Sequence, residues 1–166
     1  MSIDELNSLD RPQFVEAIGW VFEHSPWVAE RAFEAGHVRP FPDIEALHAA
    51  LVAEVEKAKP EEQLALLRAH PDLGTRARIS SASAEEQAGA GLSALTPLEF
   101  DRFQRLNSEY RARFGFPFLF AVKGSSKYDV LQALEQRVGA TPDAEYHEAL
   151  QQVYRIAEFR LRDVIG

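Results

Sequence analysis

The sequence predicts an all-α fold, a single-domain multi-helix bundle over residues 1–166. Helix-opening and helix-closing residues recur from end to end, and apolar residues return at helical spacing. Alternating strand patterns and Asn-Gly hairpin turns are absent. A chain of 166 residues typically buries about 70% of the surface its unfolded form exposes, enough for a core and a pocket.

Asp10 with Pro12 opens a segment whose Phe14, Ile18, Val21 and Phe22 share a face, and Ser25-Pro26 opens the next, closed by Gly36. Asp43 precedes Ile44, Leu47, Leu51 and Val55 at helical spacing. Pro60 with two glutamates starts a segment through Leu64 and Leu67 that Ala69 ends, because Pro71 disfavours helical backbone at His70. Ser83-Ala84-Glu85-Glu86 and Thr96-Pro97-Leu98-Glu99 both match the reciprocal capping box, and each is expected to open a helix; the second runs through Phe103, Leu106 and Tyr110. Ser125 or Ser126 caps a segment carrying Leu131, Leu134 and Val138, ended by Gly139, and Thr141-Pro142 begins the last helix.

Residues 114–122 break this pattern. They are continuously apolar, yet Gly115 and Pro117 stand where a helix or a central strand would reject them, so the backbone must be irregular. Its peptide groups need partners, which either the protein core or a ligand lying against the segment can supply.

Composition narrows the functions. With 26 acidic against 18 basic residues, the net charge of −8 repels phosphate backbones and anionic lipid, and the densest basic group is only Arg76 and Arg78 near Arg68. No nucleic acid and no membrane is expected as a partner. The absence of cysteine excludes disulfides, thiolate metal sites and thiol nucleophiles. The N-terminal residues lack the basic and apolar regions of a leader, no segment reaches about 18 uncharged apolar residues, and the last residues are not a peroxisomal address. The cytoplasm is the expected compartment.

Of the five histidines, only His70 stands in a motif, at a helix exit where Pro71 and Gly74 fix the turn. A residue on a rigid helix end suits acid/base chemistry, and it also suits capping of the last helical carbonyls. No His-Glu-x-x-His pattern accompanies it, so no metal site is expected, and no Gly-x-Ser-x-Gly elbow supplies a serine nucleophile. Glu86 fits the capping box, or with Gln87 the edge of a ligand site at a helix N-terminus. In the last helix Tyr146, Leu150, Val153, Ala157, Leu161 and Val164 form one stripe with Arg155 and Arg162 opposite. Arg160 falls roughly 50° from the stripe centre at about 100° per residue, so its guanidinium points inward, toward an internal ion pair or a ligand.

Taken together, His70-Pro71-Asp72-Leu73-Gly74, Glu86-Gln87 with Ala90-Gly91-Leu92, Leu106-Asn107-Ser108-Glu109-Tyr110 running into Phe114-Gly115-Phe116-Pro117-Phe118, and Arg160-Leu161 resemble one family closely. It is the 2-oxo-4-hydroxy-4-carboxy-5-ureidoimidazoline (OHCU) decarboxylases of uric acid breakdown, and the match covers almost the whole chain. The resemblance implies an all-helical enzyme without cofactors, often a homodimer, that converts a small-molecule ureidoimidazoline to (S)-allantoin with loss of carbon dioxide. It implies that His70 is the catalytic acid/base, with Glu86, Gln87 and Arg160 as its polar partners. Pro71, Ser83, Ala84, Glu85, Glu86 and Gln87 would contact substrate, as would Phe118, Leu119, Phe120, Ala121 and Val122, while Phe116 and Phe118 would desolvate the carboxylate. Phe120 stands where a smaller aliphatic is expected, a departure that backbone contacts would tolerate.

His-Pro-Asp is also the signature of J-type co-chaperones, which are helical binding modules without catalysis. Those need a strongly basic helix before the motif, whereas Pro60 to Ala69 carries two glutamates and only Arg68.

Overall fold

The computed structural model describes residues 1–75 and 78–166; Arg76, part of the basic group noted above, lies outside the described residues. Among the described residues there are nine α-helices and no strand, as the all-α expectation requires. Packing divides the chain into two compact units, one of residues 1–69 with 154–166 and one of residues 70–153.

The first unit holds α1 (Ile3–Asn7), α2 (Arg11–Ile18), a 3-10 turn (Gly19–Val21), α3 (Trp27–Glu34), α4 (Ile44–Lys57), α5 (Pro60–Arg68) and residues 154–164 of α9 (Pro142–Val164). Asp10 caps α2 reciprocally with Gln13, at 3.0 and 3.1 Å, and Asp43 accepts from the Ala46 amide at 2.8 Å. The apolar face read through Phe22 spans two conformations: α2 stops at Ile18, and Val21 and Phe22 reach the core from the 3-10 turn and an extended residue. Phe14, Ile18, Val28, Leu47, Leu51 and Val55 fill this core. Helix α1 was not assigned above, although Ser2 and Glu5 form a capping box.

The second unit holds α6 (Ser81–Gly89), α7 (Pro97–Phe114), α8 (Lys127–Arg137) and residues 142–153 of α9. Thr96 and Glu99 form the predicted capping box of α7, at 2.9 and 3.2 Å, and Gly115 ends the helix in the left-handed region at φ 81°. Ser126 caps α8. The start of α6 corrects the sequence reading. Its N-cap is Ser80, whose hydroxyl accepts from the Ser83 amide at 3.2 Å, so Ser83 and Glu86 lie inside the helix and form no capping box. Several serines compete here, and a pattern match alone does not say which one leaves helical backbone first.

The middle of the last helix has the predicted faces, while Tyr146 and Val164 at the ends of the stripe are half-buried. Leu150, Val153, Ala157, Leu161 and Arg160 are buried, whereas Arg155 and Arg162 are exposed.

Candidate active site

His70 follows the C-cap of α5 and is buried, with 6% of its surface exposed. Beyond it the chain turns at Leu73 and Gly74. Gly74 has φ 74°, and a Cβ there would lie 2.9 Å from Leu95 Cδ1 and 3.3 Å from Phe103 Cγ. Only glycine satisfies both the backbone conformation and the space.

Side chains of two helices hold this loop. From α6, Gln87 Oε1 accepts from the Gly74 amide at 2.9 Å and Gln87 Nε2 donates to the Asp72 carbonyl at 3.4 Å. From α7, Asn107 Nδ2 donates to the Leu73 carbonyl at 2.9 Å and Arg111 Nη2 to Asp72 Oδ1 at 2.9 Å. Both polar ends of the Gln87 amide therefore meet loop backbone.

Within α6, Ser83 and Gln87 are buried and Glu86 is half-buried, while Ala84 and Glu85 are exposed. This is the helical period: positions 83, 86 and 87 share a face, and 84 and 85 do not. Because Ser80 is the cap, capping no longer accounts for Glu86.

The segment after α7 is irregular, as expected, and Phe116, Phe118, Leu119, Ala121 and Val122 are buried in it, with Phe120 half-buried. Part of its backbone pairs with protein. Arg137 Nη1 donates to the Leu119 carbonyl at 2.6 Å, the Ala121 amide donates to Gln152 Oε1 at 2.9 Å, and the Ser125 amide donates to the Val122 carbonyl at 2.9 Å. Arg137 also lies 4.5 Å over the Phe118 ring and bonds Glu145 Oε1 through Nε at 2.6 Å. The Tyr110 hydroxyl donates to the same carboxylate oxygen at 2.6 Å. Burial, and then the bond to Glu145, push the Tyr110 phenol far above its ordinary range, so it stays a donor at every working pH.

Arg160 belongs to the first unit. Its Nη2 donates to Glu23 Oε2 at 2.8 Å and its Nη1 to the carbonyls of Trp20 and Val21 at 3.3 and 3.5 Å, with the side chains of Arg160 and Glu23 only 3% and 1% exposed. The internal ion pair that the helical wheel allowed is formed. His70, the 83–87 face and the 116–122 segment all lie in the second unit.

Asn107, Arg111, Arg137, Glu145 and Gln152 received no role above. Asn107 and Glu145 carry a readable signal, since each is a polar residue at helical spacing from apolar ones: Phe103 and Tyr110 for Asn107, Ala149 for Glu145. The Leu73 carbonyl that Asn107 meets and the Tyr110 hydroxyl that Glu145 meets, each more than 30 residues away in sequence, carry none.

Among the described residues no three metal-ligating side chains gather, and no helix is long and apolar enough to cross a membrane. Residues 7–162 match the family model described as OHCU decarboxylase. Over 163 residues, 98% of this chain and 95% of the other, the sequence is 46% identical to the 2-oxo-4-hydroxy-4-carboxy-5-ureidoimidazoline decarboxylase of Haloferax volcanii. It is 43% identical to the uric acid degradation bifunctional protein PucL of Bacillus subtilis, covering 99% of this chain and 33% of that protein. The crystal structure of an (S)-allantoin synthase superposes with a TM-score of 0.82 at 36% identity, covering 99% of this chain and 54% of that one. Fold and relatives define an all-helical enzyme of the decarboxylating carboxy-lyase class. Within that class, the chain belongs to the OHCU decarboxylase family.

Proposed function

We propose that this chain decarboxylates 2-oxo-4-hydroxy-4-carboxy-5-ureidoimidazoline to (S)-allantoin, without a cofactor, using His70 as acid/base. The observation that carries the reading is the 46% identity, over 98% of this chain, with a relative named for that reaction. In this substrate the carboxylate sits on a carbon next to a C=N bond. When carbon dioxide leaves, the electron pair moves into that imine, so the substrate is its own electron sink and the protein supplies orientation, proton transfer and electrostatics. His70 takes the proton of the 4-hydroxyl as the ring carbonyl forms and passes it to the nitrogen that received the electron pair, while a protein acid delivers one proton to a single face of the enol-type carbon, so that one proton is consumed overall. One enantiomer follows.

Glu86, freed from capping, supports the His70 imidazolium. Gln87 acts through the loop it grips as well as through any contact with the ring or ureido group. Pro71, residues 83–87, Phe116 and residues 118–122 form the lining, and Arg160 meets the ureido or ring oxygen where negative charge gathers. A clamp on the leaving carboxylate would stabilise the ground state and slow the reaction. The same reading takes residues 1–166 as one domain, since the family match runs across both units, acting in the cytoplasm as a homodimer on a small molecule.

The test generates the substrate in situ from urate with uricase and hydroxyisourate hydrolase and follows chiral allantoin by circular dichroism. We expect rapid appearance of one enantiomer; identical traces with and without the protein would remove the proposal. Activity is expected to survive exhaustive chelation and dialysis, because the electron sink is in the substrate. Loss of rate that zinc or another divalent ion restores would contradict this.

Glu86→Gln is expected to keep the fold, because the helix is capped by Ser80 and glutamine keeps the side chain's size and hydrogen-bonding capacity. Turnover falls, and on the reading that Glu86 supports the imidazolium, its loss moves the acid limb of the rate profile to lower pH. Thermal melts and initial rates across pH check both. A large stability loss with an unchanged profile would make Glu86 structural.

A further inference from the structure

Helix α7 faces the His70–Gly74 loop with one stripe at four-residue spacing, and the pairing runs in order: Phe103 against Gly74, Asn107 to the Leu73 carbonyl at 2.9 Å, Arg111 to Asp72 at 2.9 Å. Each step along the loop meets the next turn of the helix. A slip of one residue would break all three contacts, so the stripe sets the register in which the chain leaves His70.

Asn107 is the centre of this ladder and is a poor device for stability alone. It is buried, at 3% exposure, and makes its hydrogen bond through Nδ2, while its Oδ1 is buried with no hydrogen-bond partner among the described residues. An unpaired buried acceptor costs free energy, which offsets much of what the single bond contributes. What the amide does uniquely is present a donor at a fixed point to the third residue after His70.

We propose that Asn107 is a positioning residue for the reaction, acting through the Leu73 carbonyl to hold the His70 imidazole in its working orientation; this rests on the reading of His70 as the acid/base. Misplacing a reacting group by about 1 Å can cost on the order of a hundredfold in rate. Substrate affinity depends on other surfaces and is largely spared.

The test is Asn107→Leu, which keeps the branching and number of side-chain heavy atoms and removes both the donor and the unpaired acceptor. We expect kcat to fall about 10- to 100-fold with KM within about threefold. In the histidine ring NMR spectrum, the His70 signal, assigned by its loss in His70→Gln, is expected to shift in position and titration while the other four stay in place. Unchanged kcat, or an unmoved His70 signal, would overturn the proposal. If the leucine variant does not fold, Asn107→Asp takes its place. A buried carboxyl has a raised pKa, and its protonated form can donate to the Leu73 carbonyl, so its kcat relative to wild type should recover as pH falls. A ratio independent of pH would overturn the proposal. Normal turnover by His70→Gln would instead overturn the acid/base reading, with the NMR shift still reporting whether the clamp exists.

Discussion

His70→Gln keeps the fold and lowers turnover by about two to four orders of magnitude, the span expected for a positioned acid/base group. The fold should survive because the loop after His70 is held by other side chains: the Asp72, Leu73 and Gly74 backbone is bonded by Gln87 and Asn107, and Leu73 is itself buried. Glutamine also matches much of the imidazole's volume and offers a donor and an acceptor to buried surroundings. What it cannot do is exchange a proton near neutral pH. The measurement is the rate and enantiomeric excess of allantoin at matched folded concentration, with melts alongside. Spontaneous conversion gives racemic product, so loss of enantiomeric excess is a second, independent sign of lost catalysis. A folded variant with normal turnover, or one that unfolds, would assign His70 to the helix exit and not to the chemistry.

Much of the fold was legible because its signals are local. Thr96 and Glu99, Asp43, Ser126 and Gly115 mark helix ends by hydrogen bonds spanning a few residues or by a backbone angle that favours glycine, and sequence spacing encodes both. The inward turn of Arg160 followed from periodicity alone. Helix α1 was missed because five residues are too few for a period to show, even though its capping box is present. The start of α6 was misplaced because Ser80, Ser81 and Ser83 can all cap, and local chemistry does not rank them.

The site was legible in a different way. Its positions came from resemblance and from the helix-breaking pair at Pro71 and Gly74, but the groups holding it did not. Gln87 could be placed near a ligand, yet that both ends of its amide would meet loop backbone is a tertiary fact. Likewise the irregular segment had to find partners, and nothing in 114–122 says that Arg137 and Gln152 are among them. Burying Glu145 against Arg137 and Tyr110 reverses the usual reading of a charged residue in a first helical turn as solvated.

The last expected result separates structure from chemistry within α9. Arg160→Ala strips a buried Glu23 of its arginine and should cost about 3–5 kcal/mol, whereas Arg162→Ala, whose side chain bonds Glu45 and Glu158 at the surface at 2.7 and 3.0 Å, should leave stability nearly unchanged. Denaturant unfolding reads both. Arg160→Lys keeps the charge but not the planar fork that serves Glu23 and the two carbonyls at once, so it should lose stability and rate together, while Arg162→Lys is nearly silent. A lost rate could then come from a loosened unit or from a missing contact with substrate. The double replacement Glu23→Leu with Arg160→Met decides between them, because an apolar pair of similar volume commonly restores or exceeds the stability of a buried ion pair. With the unit firm again and no guanidinium present, turnover should remain low if Arg160 meets the substrate. Full recovery of turnover along with stability would confine Arg160 to its ion pair with Glu23.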